Sequence, residues 1–244
     1  MTSLSKNARI AGLLYIVGSL FGVVRLIYIP SALFVQGNAA ATVSNIATHE
    51  MLFRFGIVTY LIGSALWIFV TLALYRLFEG VDQALAIVMV ILGSLVVVPI
   101  FFFNSVNDGA ALLFARGGDF VSVFDKPQRE AFVMLFLRLH HMGDLANGIF
   151  WGLWLVPLGL LVYRSRFLPR FLGIWLMIGC FGYLMFSFTG LLYPAYEDTA
   201  FKLSQPFTVS EVAFMLWLVI MGAKERRPPT DTETRTPVSR SISA

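Results

Sequence analysis

The chain has 244 residues, of which 58% are hydrophobic and only 13% charged. That is too little polar surface to cover a water-soluble globule, and the apolar runs are long enough to cross a bilayer, so the chain reads as an integral membrane protein. The net charge of +4 does not point to nucleic acid, because the basic residues lie at helix ends and in loops, where they orient a membrane protein. A single cysteine, Cys180, excludes a disulfide framework and any multi-cysteine metal knuckle.

About 20 apolar residues are needed per span, and six stretches meet that requirement: 10–29, 53–77, 84–106, 145–163, 168–192 and 207–223. Each must be helical, because strands in hydrocarbon require a closed barrel and no alternating ten-residue pattern is present. The expected class is therefore all-α, a six-helix polytopic bundle over 1–223. The first stretch lacks a small-x-small cleavage site and is expected to stay as a span. Pro30, Pro194 and Pro206 are expected just outside span ends, and Pro99 and Pro157 inside spans as kinks. Between the third and fourth spans, 107–129 carries two short apolar patches, 110–114 and 120–124, read as interfacial or re-entrant. The fourth helix should begin near Arg129 and project past the bilayer. Residues 224–244 are rich in Pro, Ser and Thr and read as a disordered tail. No internal repeat is evident.

With the N-terminus cytoplasmic, the inner side holds eleven Lys and Arg residues and the outer side four, leaving Arg25, Arg54 and Arg138 at or within helix ends. This bias places both termini in the cytoplasm and the protein in the plasma (inner) membrane. Membrane lipids are the expected partners, with a homo-oligomer left open.

Nearly all the ionisable residues within spans then fall toward the outer end. Charges in hydrocarbon cost a few kcal/mol each on the lenient insertion scale, so they call for partners, water or a ligand. On the fourth helix, Asp144 is spaced to meet His140 or His141, the arrangement that poises an imidazole for metal or base chemistry. His49, Glu50 and Arg54 open the second span, and Glu50 with Arg54 answers ordinary helix-end electrostatics. Arg25 and Glu211 lie within spans, and Glu211 is expected to pair with Arg25, Arg54 or Arg138. Asn104, Ser105, Asn107 and Asp108 add hydrogen-bonding groups. Two GxxxG steps, Gly18 with Gly22 and Gly148 with Gly152, permit close helix approach. Tyr28, Tyr193, Tyr196, Tyr75 and Tyr163 fit interfacial belts.

Three readings follow. In the first, an outward-facing polar pocket lined by Arg25, Arg54, Arg138, Asn104, Asp144 and Glu211 binds or moves an anionic lipid or small solute. In the second, His49, His140 and His141 with Asp144 hold zinc for hydrolysis of a lipid-like substrate; haem held by two histidines is a weaker variant. In the third, the charges form a structural salt-bridge network without a ligand.

Four segments carry a family resemblance: RIAGLLY from Arg9, HEMLFRFG from His49, LPRFLG from Leu168 and LWLVIMG from Leu216. They resemble the bacterial multi-span membrane family catalogued as domain of unknown function 4386 (DUF4386). The resemblance implies a bacterial inner-membrane protein with this span layout, and carries no activity to transfer.

Overall fold

The computed structural model describes residues 3–224, so the expected tail lies outside the described residues apart from Lys224. Within them the chain forms seven helices and no strand. Six are long and apolar enough to cross a membrane: α1 (Ser3–Leu33), α3 (Glu50–Phe78), α4 (Gln83–Arg116), α5 (Lys126–Ser165), α6 (Arg170–Leu192) and α7 (Pro194–Ile220). The short α2 (Ala39–Thr48) links α1 to α3 and is capped by the Asn38 side chain, which accepts from Ala41 N–H at 2.9 Å. Consecutive spans pack on one another and α1 closes against α7. α5 is the innermost, with 61% of its apolar stretch buried against 28–39% for the others.

Prolines set the irregularities. Pro30 lies inside α1, not beyond it, and Pro206 lies inside α7. A proline has no N–H for the carbonyl four residues back. Upstream of Pro30 the helix widens into a π turn over Val24–Tyr28, and upstream of Pro99 it does so over Ile91–Leu95. Upstream of Pro157, α5 breaks at Trp154. Around Pro206, the Ser204 and Gln205 side chains bond the Phe201 carbonyl and Thr208 bonds that of Gln205, which ties the helix together on both sides of the proline. α7 therefore starts thirteen positions before 207, which places Glu211 deep in the helix. α4 runs on to Arg116, so 110–114 is helix and not a re-entrant patch. α5 begins at Lys126, fixed by a capping box in which Gln128 N–H donates to Asp125 at 2.8 Å and the Gln128 side chain accepts from Asp125 N–H at 3.0 Å.

The glycine steps differ. Gly148 and Gly152 face α6 at Ser187 and the Cys180 carbonyl, whereas Gly18 rests on Trp67 and Gly22 meets nothing.

Two apolar clusters stabilise the bundle. One, at the end bearing both described termini, gathers Tyr15, Leu74, Phe78, Trp154, Leu161, Leu176 and Leu218. The other, at the opposite end, gathers Ile29, Leu33, Ile46, Phe53, Leu112 and Val133. On α1, α3, α4 and α5 the segment between these clusters carries Arg25, Tyr60, Asn104, Asp108, His140, Asp144 and Asn147. A polar layer is thus enclosed between two apolar ones.

Candidate functional site: a buried polar layer

Arg25 sits in the π turn of α1 and is 3% exposed. Its Nε donates to Asp108 Oδ2 at 2.6 Å and a terminal nitrogen to Oδ1 at 2.5 Å, the two-pronged geometry that makes arginine–carboxylate pairs strong. The guanidinium carbon also stands 5.9 Å from the Phe34 ring centroid and 6.0 Å from that of Phe53, close enough for cation–π attraction. Asp108 is fully buried. Breaking such a pair by removing one partner costs about 3–5 kcal/mol, because the other charge is left uncompensated.

His140 extends the pair into a network. Its Nδ1 lies 3.1 Å from Asp108 Oδ1 and 3.2 Å from the Asn104 carbonyl oxygen. Its Nε2 lies 3.2 Å from Asp144 Oδ2, within ion-pair distance but out of hydrogen-bond alignment. Asp144 Oδ1 accepts from the Tyr60 hydroxyl and from Asn104 Nδ2, both at 2.9 Å. The Tyr60 and His140 rings are 5.3 Å apart. With a carboxylate at each ring nitrogen, an imidazolium makes the set of Arg25, His140, Asp108 and Asp144 neutral in sum; a neutral ring leaves one excess negative charge. Asp144 is the more accessible carboxylate, its side chain 15% exposed where that of Asp108 is 0%.

The layer depends on one small residue. A Cβ at Gly143 would collide with the Asn104 amide, so glycine there lets Asn104 reach Asp144. Several buried polar atoms have no protein partner among the described residues: Asn104 Oδ1, Asn107 Nδ2, Asn147 Oδ1 and Ser187 Oγ. Such atoms are rare in folded proteins and mark water, ligand or functional strain.

Glu211 belongs to a separate centre. It is paired with no arginine; its Oε2 accepts a short bond from the Tyr15 hydroxyl and its Oε1 one from Tyr183 at 2.5 Å. Tyr15 is held in turn by Trp67, Trp154 and Phe214, with ring centroids 5.2, 5.7 and 6.4 Å away. The expected pairing with Arg25, Arg54 or Arg138 fails because Arg25 is committed to Asp108 and the other two point outward.

Of the residues expected to line one pocket, Arg25, Asn104 and Asp144 come together, joined by Asp108 and His140. Arg54 and Arg138 are exposed; Arg54 pairs with Glu50 at 2.6 Å, and Arg116 reaches the same carboxylate at 3.1 Å. The three histidines do not converge. His49 is exposed, His141 lies 2.9 Å from Glu197 at the surface, and only His140 enters the layer. Among the described residues no group of three or more His, Cys, Asp or Glu side chains is placed to hold a metal ion. The residues present therefore do not fit zinc, and a haem iron would have to displace one of the two carboxylates at His140. Among the described residues, nothing supports the expected outward-facing pocket either. Ile29, Leu33 and Phe53 lie on that side of the layer, and a groove of about 200 Å³ at the same end is lined instead by residues such as Val43, Phe114, Lys126 and Arg129.

Tyr15, Tyr60 and Tyr183, whose hydroxyls bond the buried carboxylates, are residues of the two centres that the sequence pattern did not single out. The signal was present: five of the eight tyrosines suit interfacial belts, and these three are the remainder, placed mid-span. A phenol at that depth must find a hydrogen-bond partner.

A bundle of six helices apolar and long enough to cross a bilayer, with Arg25, Asp108, His140 and Asp144 facing one another inside it, is a polytopic integral membrane protein. The family model described as "Domain of unknown function (DUF4386)" matches residues 10–222, and the chain belongs to that family; both buried centres lie within the match. An Archaeoglobus fulgidus protein described as "Uncharacterized protein" is similar, 37% identical over 79 residues covering 31% of this chain and 44% of its own length. The chain thus spans less than half of that relative. No solved structure matches.

Proposed function

We propose that the protein binds or moves an anionic lipid or small solute, with Arg25 as the cation that receives the anionic group. The observation that carries this reading is the Arg25–Asp108 pair, buried in a π turn and bridged by His140 to a second carboxylate. Asp108 acts as an internal stand-in for the ligand anion. A proton delivered to the carboxylate–imidazole set weakens its hold on Arg25, and an incoming anion takes the vacated fork. Anion binding is then coupled to proton uptake, and the charge within the layer stays balanced. Because an apolar cluster covers the layer, access requires movement of the end of α1 beyond the π turn. Such turns recur at functional sites because their hydrogen-bond register is easily changed.

In this reading the termini face the cytoplasm and the protein lies in the bacterial inner membrane, supported by the excess of Lys and Arg on the terminal side. The competing reading is a salt-bridge network that only staples helices together.

Thermal unfolding in detergent separates the two, with phosphatidylglycerol, phosphatidylcholine or inorganic phosphate added in turn. Wild type should be stabilised by an anionic addition, phosphatidylglycerol if the ligand is a lipid and phosphate if it is a solute. The neutral pair Arg25→Gln/Asp108→Asn should fold yet show no such shift. Equal shifts in both proteins would refute the binding role.

A further inference from the structure

We propose that Glu211 is a proton-loading site served from the Asp144 end of the polar layer by a path through Asn147, Ser187 and Tyr183. The two centres are distinct but not isolated. Tyr15 and Arg25 are ten positions apart on α1, which is about 15 Å along a helix, and the polar residues between them form a series. Asn147 lies one turn beyond Asp144 on α5, is fully buried, and uses its Nδ2 on the Val97 carbonyl at 3.5 Å, leaving Oδ1 without a protein partner. Ser187 of α6 rests directly against Gly148, the residue after Asn147; it too is fully buried, and its Oγ has no protein partner. One turn from Ser187 on the same helix is Tyr183, whose hydroxyl donates to Glu211 Oε1 at 2.5 Å.

Asn147 reaches toward Val97 of α4 and Ser187 comes from α6, so their two unpartnered oxygens flank α5 on neighbouring faces beside Gly148, a polar spot of the kind that retains water with two or more polar partners. The transfer is then a chain of O–H exchanges. A proton taken up from solvent by Asp144, the more accessible carboxylate, passes by way of water at Asn147 Oδ1 to the Ser187 hydroxyl, which releases its own toward Tyr183 Oη as it accepts one, and Tyr183 gives its proton to Glu211 Oε1. One proton moves and nothing is oxidised or reduced. The groups facing Glu211 are Tyr15 from α1 and Tyr183 from α6, and among the described residues no Lys, Arg, His or Asp is paired with it. On its other side Trp154, Leu218 and Phe214 close the way to the terminal end of the bundle. Glu211 is thus the end of the path and stores a proton; it does not pass one across the membrane.

Infrared difference spectroscopy of the full chain in lipid nanodiscs tests this. The protonated-carboxyl band of Glu211 is assigned by its loss in Glu211→Gln, and its exchange is followed after a switch to deuterated buffer. Ser187→Ala, a small change at a fully buried site, should slow that exchange about a hundredfold or more, the scale of losing one positioned proton-transfer partner. Asp144→Asn should slow it as well, and serves as the second variant if Ser187→Ala fails to insert. If Glu211→Gln removes no carboxyl band at any pH, or both path variants exchange at the wild-type rate, the proposal is overturned. The anion-stabilisation test is unaffected by Ser187→Ala, so the two readings fail separately.

Discussion

At the residue scale, the cost of burial decides which side chains matter. Arg25 and Asp108 have no water to fall back on, so Asp108→Ala should destabilise the protein by about 3–5 kcal/mol, the range for breaking a buried pair from one side. The double variant Arg25→Gln/Asp108→Asn should recover most of that loss, because two neutral amides replace two charges; calorimetry on the three proteins measures the difference. Gly143→Ala is a subtler case. Its methyl group displaces Asn104 from Asp144, and overpacking of this kind costs about 1–3 kcal/mol. Thermal unfolding should show a loss in that range, and one near zero would mean that Asn104 moves freely. Arg25, Asp144 and Glu211 were legible in the sequence because a charge amid apolar neighbours is conspicuous. The partners were not, since spacing along one helix gives depth but not azimuth. Arg54 and Arg138 match Arg25 in approximate depth yet face outward, and His140 and His141 are adjacent in sequence, but the turn of about 100° between them puts one in the buried layer and the other at the surface beside Glu197.

At the element scale, prolines and π turns shape the bundle. Apolar length alone located the six spans, and the break near Pro157 was readable from the missing N–H. Helix limits were not, because polar residues that look like loop can extend a helix beyond the hydrocarbon: α7 takes in 194–206, and α4 continues through Asp108 to Arg116. The π turn at Val24–Tyr28 gave no hydropathy signal either. It accommodates one residue more than an α turn, so deletion of Leu26 should convert it to regular helix while Ile29 and Leu33 keep their apolar contacts. Circular dichroism should then be unchanged while anion-dependent stabilisation is lost. Retained stabilisation would show that the π turn does not position Arg25 for binding.

At the scale of the whole molecule, polar and apolar layers alternate along the bundle, and orientation decides which compartment the polar layer serves. Phe120 and Val123 are each 81% exposed on the loop between α4 and α5, so cysteines there should be reachable without disturbing the fold. In a Cys180→Ser background, Phe120→Cys in intact cells should react with a membrane-impermeant maleimide, and a cysteine at Lys224 should react only after lysis. The reverse pattern would invert the topology and put the layer near the cytoplasm.

Native mass spectrometry of the purified protein distinguishes an Arg25–Asp108–His140–Asp144 layer that holds a ligand from one that only staples helices. Wild type should carry a copurified anionic species, and Arg25→Gln/Asp108→Asn, equally well folded, should carry none. The same adduct at the same occupancy on both proteins would show that the layer does not hold it.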